Sequence, residues 1–213
     1  MKVTDLTHVI YSDMPVFPGT EQPILEKVKT LENEGYREAK ISMYSHTGTH
    51  IDAPAHMLSQ GPCLDDLAVE HYIGKAAILD FSTGGMELID LASLKPYEEK
   101  IKKVEFLIIK TGWSKYWGDK KYFEDFPSLN EEAAKWLSEF NLKGIGVDTA
   151  SIDAIKSTTF AVHKILLQKN ILIIENLTNL DSLGKEHFVL SVLPLKNKNA
   201  DGSPVRAVSI EHL

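Results

Sequence analysis

Three histidines and one aspartate lie within the segment His46-Thr-Gly-Thr-His50-Ile-Asp52-Ala-Pro-Ala-His56. Imidazole nitrogens and carboxylate oxygens are suitable ligands for zinc, manganese or iron. A lone loop histidine usually faces solvent, but four candidate ligands at this spacing favour a metal site. The segment therefore predicts a bound divalent cation and the chemistry that such a cation supports.

The spacing of these side chains constrains the backbone that carries them. All four occupy even positions, so an extended chain would point them to one face. A straight strand would nevertheless separate His46 from Asp52 by about 20 Å, whereas donors to one ion lie only about 3 Å apart. Gly48 permits the bend that is needed, and Pro54 opposes a continuous helix. We therefore expect a strand end that turns into a ligand-bearing loop.

Matching partners occur later in the chain. His163 lies in a predicted apolar helix, and Glu175 ends the apolar run Ile171–Ile174. A buried strand that ends in a carboxylate places charge at the edge of a sheet, where sites in α/β proteins commonly lie. Taken alone, His163 is better explained as a hydrogen-bonded core histidine, whereas Glu175 is equally compatible with an exposed acid. Asp148 has a similar placement, and there a turn or helix cap is the favoured interpretation.

The elements around these residues alternate in type along the chain. Strands are predicted over 2–10, 23–30, 37–46, 74–81, 104–110, 144–147, 171–174, 187–193 and 205–210, and helices from about Asp90, over 129–140 and near 159–169. Ser128 and Glu131 have the spacing of a capping box at the start of the second helix. This order predicts one α/β domain, residues 1–213, with a mixed, partly antiparallel central sheet flanked by helices.

Composition narrows the classes of partner. The 213 residues carry a formal net charge of −7 without a basic block, which argues against nucleic acid. No apolar run approaches the roughly 20 residues of a membrane span, and the N-terminus lacks a signal-peptide core. Cys63 is the only cysteine, so no internal disulfide forms and a reducing cytoplasm is expected. The remaining histidines, His8, His71, His187 and His212, lack ligand-like company and are predicted to be surface or packing residues.

The histidine segment resembles the H-x-G-T-H-x-D-x-P-x-H signature of the cyclase family of metal-dependent hydrolases, which includes bacterial kynurenine formamidase and isatin hydrolase. The likeness extends over nearly the whole chain. It includes Asp5-Leu-Thr, Met14-Pro-Val-Phe-Pro-Gly19, Lys110-Thr-Gly-Trp113, Gly146-Val-Asp-Thr-Ala-Ser-Ile-Asp153, His163, Glu175, Leu193-Pro-Leu-Lys196 and Pro204-Val-Arg-Ala207.

The resemblance implies a role for each site residue. The implied metal ligands are His46, His50, Asp52, His163 and Glu175, with Asp52 able to bridge two ions. His56 would be the acid/base. The family likeness also implies a swivelling β/β/α-like fold, a small-molecule substrate and a homo-oligomer, either dimer or tetramer. Zinc is the expected ion, as one or two ions per chain, and manganese is the alternative.

The chemistry implied is hydrolysis of a C–N amide bond in a small aromatic substrate, as in an arylformamidase. One position departs from the formamidase pattern, because Phe17 stands where the formamidase has tryptophan. Phenylalanine keeps a flat apolar wall but loses area and the indole N–H. Alternatives are hydrolysis of a cyclic amide, a metal-dependent lyase or cyclase, and a non-catalytic metal- or small-molecule-binding protein. The acid/base His56 argues against the last, because a pure binding site needs none.

Overall fold

A mixed sheet of nine strands organises the part of the chain that the computed structural model describes, residues 1–83, 85–184 and 187–211. The strands, in chain order, are β1 (Lys2–Asp5), β2 (Ile24–Lys29), β3 (Glu38–Ser42), β4 (His50–Asp52), β5 (Ile73–Asp80), β6 (Leu88–Ile89), β7 (Phe106–Lys110), β8 (Ser128–Leu129), β9 (Gly144–Val147), β10 (Leu172–Glu175), β11 (His187–Ser191), β12 (Gly202–Pro204) and β13 (Val208–Glu211). The α-helices are α1 (Leu31–Glu34), α2 (Leu91–Leu94), α3 (Glu98–Ile101), α4 (Glu131–Leu137) and α5 (Ala161–Leu167).

The main sheet combines a parallel centre with antiparallel flanks. Its strand order is β1-β13-β11-β5-β7-β9-β10-β4-β12. The four central strands β5, β7, β9 and β10 run parallel, and the outer strands pair antiparallel. Two smaller sheets, β2 with β3 and β6 with β8, complete the described strands. The predicted α/β class with a mixed, partly antiparallel sheet is therefore confirmed.

Strand β7 lies at the centre of the sheet and is buried on both faces. Leu107 and Ile109 pack against the helices on one face, while Phe106 and Ile108 belong to a second core on the opposite face. This alternation follows from the period of two residues along a strand. An unbroken apolar run such as Phe106–Ile109 is typical of a strand that is covered on both sides.

Several predicted boundaries differ from the observed elements. The first strand ends at Asp5 rather than continuing to residue 10. The helix predicted over 129–140 begins at Glu131, and its N-cap is Asn130, whose side chain accepts from the Ala133 N–H. The capping box at Ser128 is therefore wrong, because Ser128 pairs with Leu88 in a short parallel sheet.

Two further structural findings bear on the sequence predictions. Strand β12 was not predicted, since Gly202-Ser-Pro204 is a poor strand sequence, yet it pairs with β4. Within the described ranges, no helix is long and apolar enough to cross a membrane. His212 lies outside the described residues.

His8 illustrates how the N-terminal segment packs onto the fold. Its imidazole stacks on Trp117, with ring centroids 3.8 Å apart and planes 9° from parallel. Nε2 is buried without a hydrogen-bond partner, so protonation would place an unpaired charge in the interior. Burial accordingly lowers the pKa of His8 to about 4. His8 is a packing residue, as predicted.

The buried His8 should make stability depend on pH. In the unfolded chain a histidine takes up its proton near pH 6.5, whereas folded His8 stays neutral down to about pH 4. Each unit of difference between the folded and unfolded pKa changes the free energy of unfolding by up to about 1.4 kcal/mol. The unfolded state thus binds more protons in this window, and stability is lost as pH falls from 6.5 toward 4. His8→Phe keeps the stack but has no group to protonate. When the pH falls from 7 to 5, its free energy of unfolding should decrease by about 2 kcal/mol less than that of the wild type.

Urea unfolding of the metal-free proteins at the two pH values measures this difference. His187→Phe changes an exposed histidine and is the control, expected to follow the wild type. Parallel pH curves for the wild type and His8→Phe would contradict the neutral buried state.

Candidate metal centre

Strand β4 carries two of the candidate ligands and lies between β10 and β12. His50 and Asp52 are two residues apart, so their side chains point to one face. In the antiparallel register with β10, His50 lies opposite Glu175, and the Cβ atoms of such a pair are about 5 Å apart. All three residues are at most 5% exposed. The backbone pairing of the sheet therefore brings two carboxylates and an imidazole together in the interior.

His46 reaches the same cluster from the loop that precedes β4. Gly48 has a φ of +65°, which glycine adopts without steric cost, and the chain bends there as predicted. The order of elements is the reverse of the predicted one, because the loop comes first and the strand follows. Gly202 leaves room for the ring, since a Cβ atom at that position would lie 2.4 Å from Cε1 of His46. Nδ1 of His46 lies 2.7 Å from Oδ1 of Asp52.

Helix α5 delivers His163 to the cluster, and Asp153 fixes its orientation. The Asp153 carboxylate accepts hydrogen bonds from the backbone N–H groups of Val162 at 3.1 Å and His163 at 3.0 Å. It also accepts from Nδ1 of His163 at 2.6 Å. Nε2 of His163 then faces Oε1 of Glu175 at 3.3 Å and Oδ2 of Asp52 at 3.5 Å. One carboxylate thus caps the helix and sets which imidazole nitrogen points into the site.

The donor atoms of the cluster fit a divalent cation. Nδ1 of His50 lies 2.8 Å from the Gly48 carbonyl oxygen, which can only accept, so Nδ1 carries the proton. Nε2 then faces Oδ1 of Asp52 at 3.3 Å and Oε2 of Glu175 at 3.5 Å. Ligands on one tetrahedral zinc ion, with bonds of about 2.0–2.1 Å, are about 3.3 Å apart. Oδ2 of Asp52 is also buried without a hydrogen-bond partner, as expected for an atom whose partner is an ion.

Protonation of the imidazoles can also compensate the buried carboxylates. Burial opposes a charge on His46, but Asp52 and Asp201 outweigh it and raise the pKa of His46 to about 9. Burial likewise opposes a charge on His163, while the hydrogen bond to Asp153 and the nearby carboxylates of Asp52 and Glu175 raise its pKa well above the usual range. Protons and a metal ion therefore compete for the same nitrogens, and metal binding releases protons.

His56 lies beside the cluster. Its ring centroid is 3.9 Å from that of His46 and 6.2 Å from that of His163. Burial, assisted by these two positive neighbours, lowers the pKa of His56 despite the opposing carboxylates. A neutral imidazole at this position is able to accept a proton. His46, Asp52 and His56 are also close enough to hold an ion among themselves, so the geometry is compatible with either a base or a ligand.

Asp201 is a charged neighbour that the sequence analysis missed. It lies immediately before β12, where its backbone carbonyl accepts from the Ala53 N–H at 2.9 Å. Oδ2 is 3.0 Å from Nε2 of His46 and 3.6 Å from Nδ1 of His56. Burial would raise the pKa of Asp201, but the hydrogen bond and charge of His46 outweigh it and lower the pKa. Asp201 therefore connects the cluster of candidate metal ligands with the candidate acid/base.

A cavity of about 400 Å³ opens onto the cluster. Its lining includes every residue predicted for the site: Phe17, His46, His50, Asp52, His56, His163 and Glu175. Aromatic side chains form much of the wall: Phe17, Tyr44, Trp117, Phe123 and Phe160. Trp113 and Tyr116, from the same segment as Trp117, pack against the buried Tyr122 instead. The arrangement offers a flat aromatic group a place directly beside the polar cluster.

Three aspartates show what the sequence alone conveyed about this region. Asp153 and Asp201 were not predicted as site residues. The signals for Asp153 were its position ahead of the predicted helix and its place in a segment that resembles the family, and the signal for Asp201 was its place in an Asn-Ala-Asp-Gly turn. Asp148, predicted to cap a turn or helix, instead accepts from the backbone N–H groups of Thr111, Gly112 and Trp113 at 2.8–3.1 Å. It joins the loops that follow β7 and β9 and does not line the cavity.

The sequence is similar to a family described as putative cyclases, whose model matches residues 4–154. A kynurenine formamidase from Bacillus thuringiensis (strain Al Hakam) is 35% identical over 205 residues, covering 96% of this chain and 95% of that protein. A kynurenine formamidase from Bacillus anthracis is 34% identical over 208 residues, covering 97% and 96%.

Solved structures show the same fold. Isatin hydrolase A from Labrenzia aggregata, bound to benzyl benzoate, has a TM-score of 0.89 and 28% identity, covering 98% of this chain and 93% of that chain. A potential metal-dependent hydrolase with cyclase activity has a TM-score of 0.82 and 27% identity, covering 98% and 96%. The similarity in sequence and the similarity in fold thus both extend over nearly the whole length of this chain.

Substitution of Asp52 should separate metal ligands from the acid/base. Asp52→Asn removes the charge that lies between His46, His50 and His163, so we expect bound metal to fall to near zero after dialysis. His56→Ala should keep the wild-type metal content if His56 is a base. Elemental analysis measures metal per chain, and circular dichroism controls for folding. Full metal content in folded Asp52→Asn, or metal loss in His56→Ala, would contradict these assignments.

Proposed function

Because this chain belongs to the putative cyclase family, we propose that it is a metal-dependent hydrolase that cleaves the C–N bond of a small aromatic amide, with an aryl formamide as the first candidate. The observation that carries this proposal is the cluster of imidazoles and buried carboxylates at the floor of an aromatic cavity. The relatives named kynurenine formamidase support the reaction class.

The proposed ligands are His46, His50, Asp52, His163 and Glu175. Nε2 of His50 and Nε2 of His163 each lie 3.3–3.5 Å from one carboxylate oxygen of Asp52 and one of Glu175. This spacing and ligand set support zinc, and manganese is the alternative. The chemistry available at such a site is a more acidic water and a polarised substrate carbonyl.

His56 is the proposed acid/base. Burial lowers its pKa, which favours the neutral ring that can take a proton from the attacking water and return it to the leaving nitrogen. For a formamide, the C–N bond breaks, the water oxygen joins the formyl carbon, and an aromatic amine and formate result. Asp201 lies 3.6 Å from Nδ1 of His56 and favours the ring orientation in which the other nitrogen serves the reaction. The aromatic walls hold the substrate ring and keep bulk water out.

Cyclic amides form a second candidate substrate class. The structural similarity to an isatin hydrolase bound to benzyl benzoate supports an aromatic ligand and the opening of a lactam. Phe17 supports the same alternative, because it lacks the indole N–H of the tryptophan in the formamidase pattern. The two candidates share the ligands, the polarised carbonyl and the base, and differ in the shape of the substrate.

Hydrolysis assays with N-formylkynurenine and isatin test the proposal. Zinc-loaded protein should hydrolyse at least one of them, and removal of the metal with a chelator should abolish the activity. His56→Ala should lower kcat by about 10²–10⁴-fold while binding metal normally. Turnover that survives complete metal removal, or a fully active His56→Ala enzyme, would overturn the mechanism.

A homo-oligomer is part of the proposed functional state. The hairpin β2–β3 is exposed along its length, including Ile41 at 57% and its cross-strand partner Leu25 at 37%. An isolated two-stranded hairpin is only marginally stable in water, so contact with a second copy of this chain would stabilise it. The strand β3 leads directly to Tyr44 in the cavity wall, which places the hairpin close to the site.

Sedimentation measures the oligomeric state. Ile41→Glu places a charge on the face that Ile41 shares with its cross-strand partner Leu25, and should shift a dimer or tetramer toward monomer. Lys40→Glu changes the neighbouring residue on the opposite face of β3 and serves as the control. A wild-type protein that sediments as a monomer would contradict the proposed assembly.

A further inference from the structure

The cavity wall has an unequal distribution of charge. Among the lining residues that the structure describes, none is lysine or arginine. Asp52 and Glu175 lie at the floor and are engaged in the metal cluster. Asp201 also lines the cavity, but its side chain is 46% exposed. The outer part of the cavity therefore combines aromatic surface with one carboxylate and offers no positively charged partner.

The position of Asp201 is fixed by its neighbours. Its backbone carbonyl accepts from the Ala53 N–H at 2.9 Å, and its carboxylate lies 3.0 Å from Nε2 of His46. Nδ1, the other nitrogen of His46, faces Asp52 and is the atom available to a metal ion. If His46 held a metal ion, its neutral ring would donate the remaining N–H to Asp201 and would not compensate the negative charge of that carboxylate.

A substrate must present its reacting carbonyl at the floor, so other substituents on its ring lie against the walls. The neutral aromatic side chains Phe17, Trp117 and Phe160 suit an uncharged ring. A carboxylate on that ring would lose water without gaining a hydrogen-bonding cation, which is costly. It would also be repelled by Asp201. Repulsion between like charges several ångströms apart near a protein surface weakens binding by about tenfold.

We propose that this cavity selects uncharged aryl amides over aryl amides that carry a ring carboxylate, and that Asp201 is a residue that determines this specificity. The inference rests on the proposed hydrolase function and adds the charge of the preferred substrate. The net charge of the whole chain, −7, acts in the same direction, because it disfavours the approach of anions.

A matched pair of substrates tests the proposal. 4-Formamidobenzamide and 4-formamidobenzoate have nearly the same shape and differ in charge far from the reacting formyl group. We expect zinc-loaded wild-type protein at pH 7.5 and low salt to show at least a tenfold higher kcat/KM for the benzamide. Asp201→Asn should reduce this preference by about tenfold. The ratio of the two substrates within one variant cancels changes in metal content or in His56 that affect both equally.

Asp181→Asn is the control variant. It changes the net charge by the same amount, but Asp181 is 87% exposed, pairs with Lys110 and does not line the cavity. Its substrate ratio should equal that of the wild type. Added salt should weaken the preference of the wild type more than that of Asp201→Asn, because salt screens exposed charges.

The results distinguish a failure of the charge selectivity from a failure of the proposed hydrolase function. If both substrates are hydrolysed at equal rates, or the benzoate is preferred, the charge selectivity is overturned while the hydrolase function stands. An unchanged ratio in Asp201→Asn overturns the role of that residue. If neither these substrates nor N-formylkynurenine nor isatin is hydrolysed by metal-loaded protein, the proposed function fails and the selectivity fails with it.

Discussion

The structure depends on the burial of two carboxylates, Asp52 and Glu175, within reach of the same imidazole nitrogens. Two buried negative charges at this separation are strongly unfavourable unless positive charge is placed between them. The fold keeps them in place through backbone pairing, because β4 and β10 fix the register of both residues. His46, His50 and His163 then supply nitrogens that either take up protons or bind a cation. The need for positive charge is thus built into the sheet rather than into a flexible loop.

Different parts of the fold form the floor and the walls of the cavity. The sheet and helix α5 hold the polar floor, and Asp153 fixes His163 through three hydrogen bonds. The walls come mostly from connecting segments, which contribute Phe17, Tyr44 and Trp117. Rigid elements therefore determine the position of the polar groups at the floor, while the loops determine which ligand shapes fit the cavity. The same floor is compatible with a formamide and with a lactam because these substrates differ mainly at the walls.

The sequence indicated the local part of this site well and the long-range part only through family resemblance. The spacing of His46, His50 and Asp52 and the need for a bend at Gly48 are local properties, and the structure shows the bend there. His163 and Glu175 lie more than a hundred residues away, and their own surroundings left ordinary structural roles open. Asp201 was missed because its strand β12 has weak strand propensity and forms only by pairing with β4. The misplaced cap at Ser128 has a similar cause, since tertiary pairing with β6 outweighed a local capping pattern.

Gly202 and Asp201 are adjacent in the chain but are subject to different structural constraints. A side chain at 202 would collide with the His46 ring at 2.4 Å, so even alanine there would displace a candidate ligand. The half-exposed side chain at 201 faces no such steric limit. Position 201 is instead constrained by the contacts of its carboxylate with His46 and His56. Two adjacent residues therefore hold the same His46 ring in different ways, one by leaving space for it and the other by a polar contact.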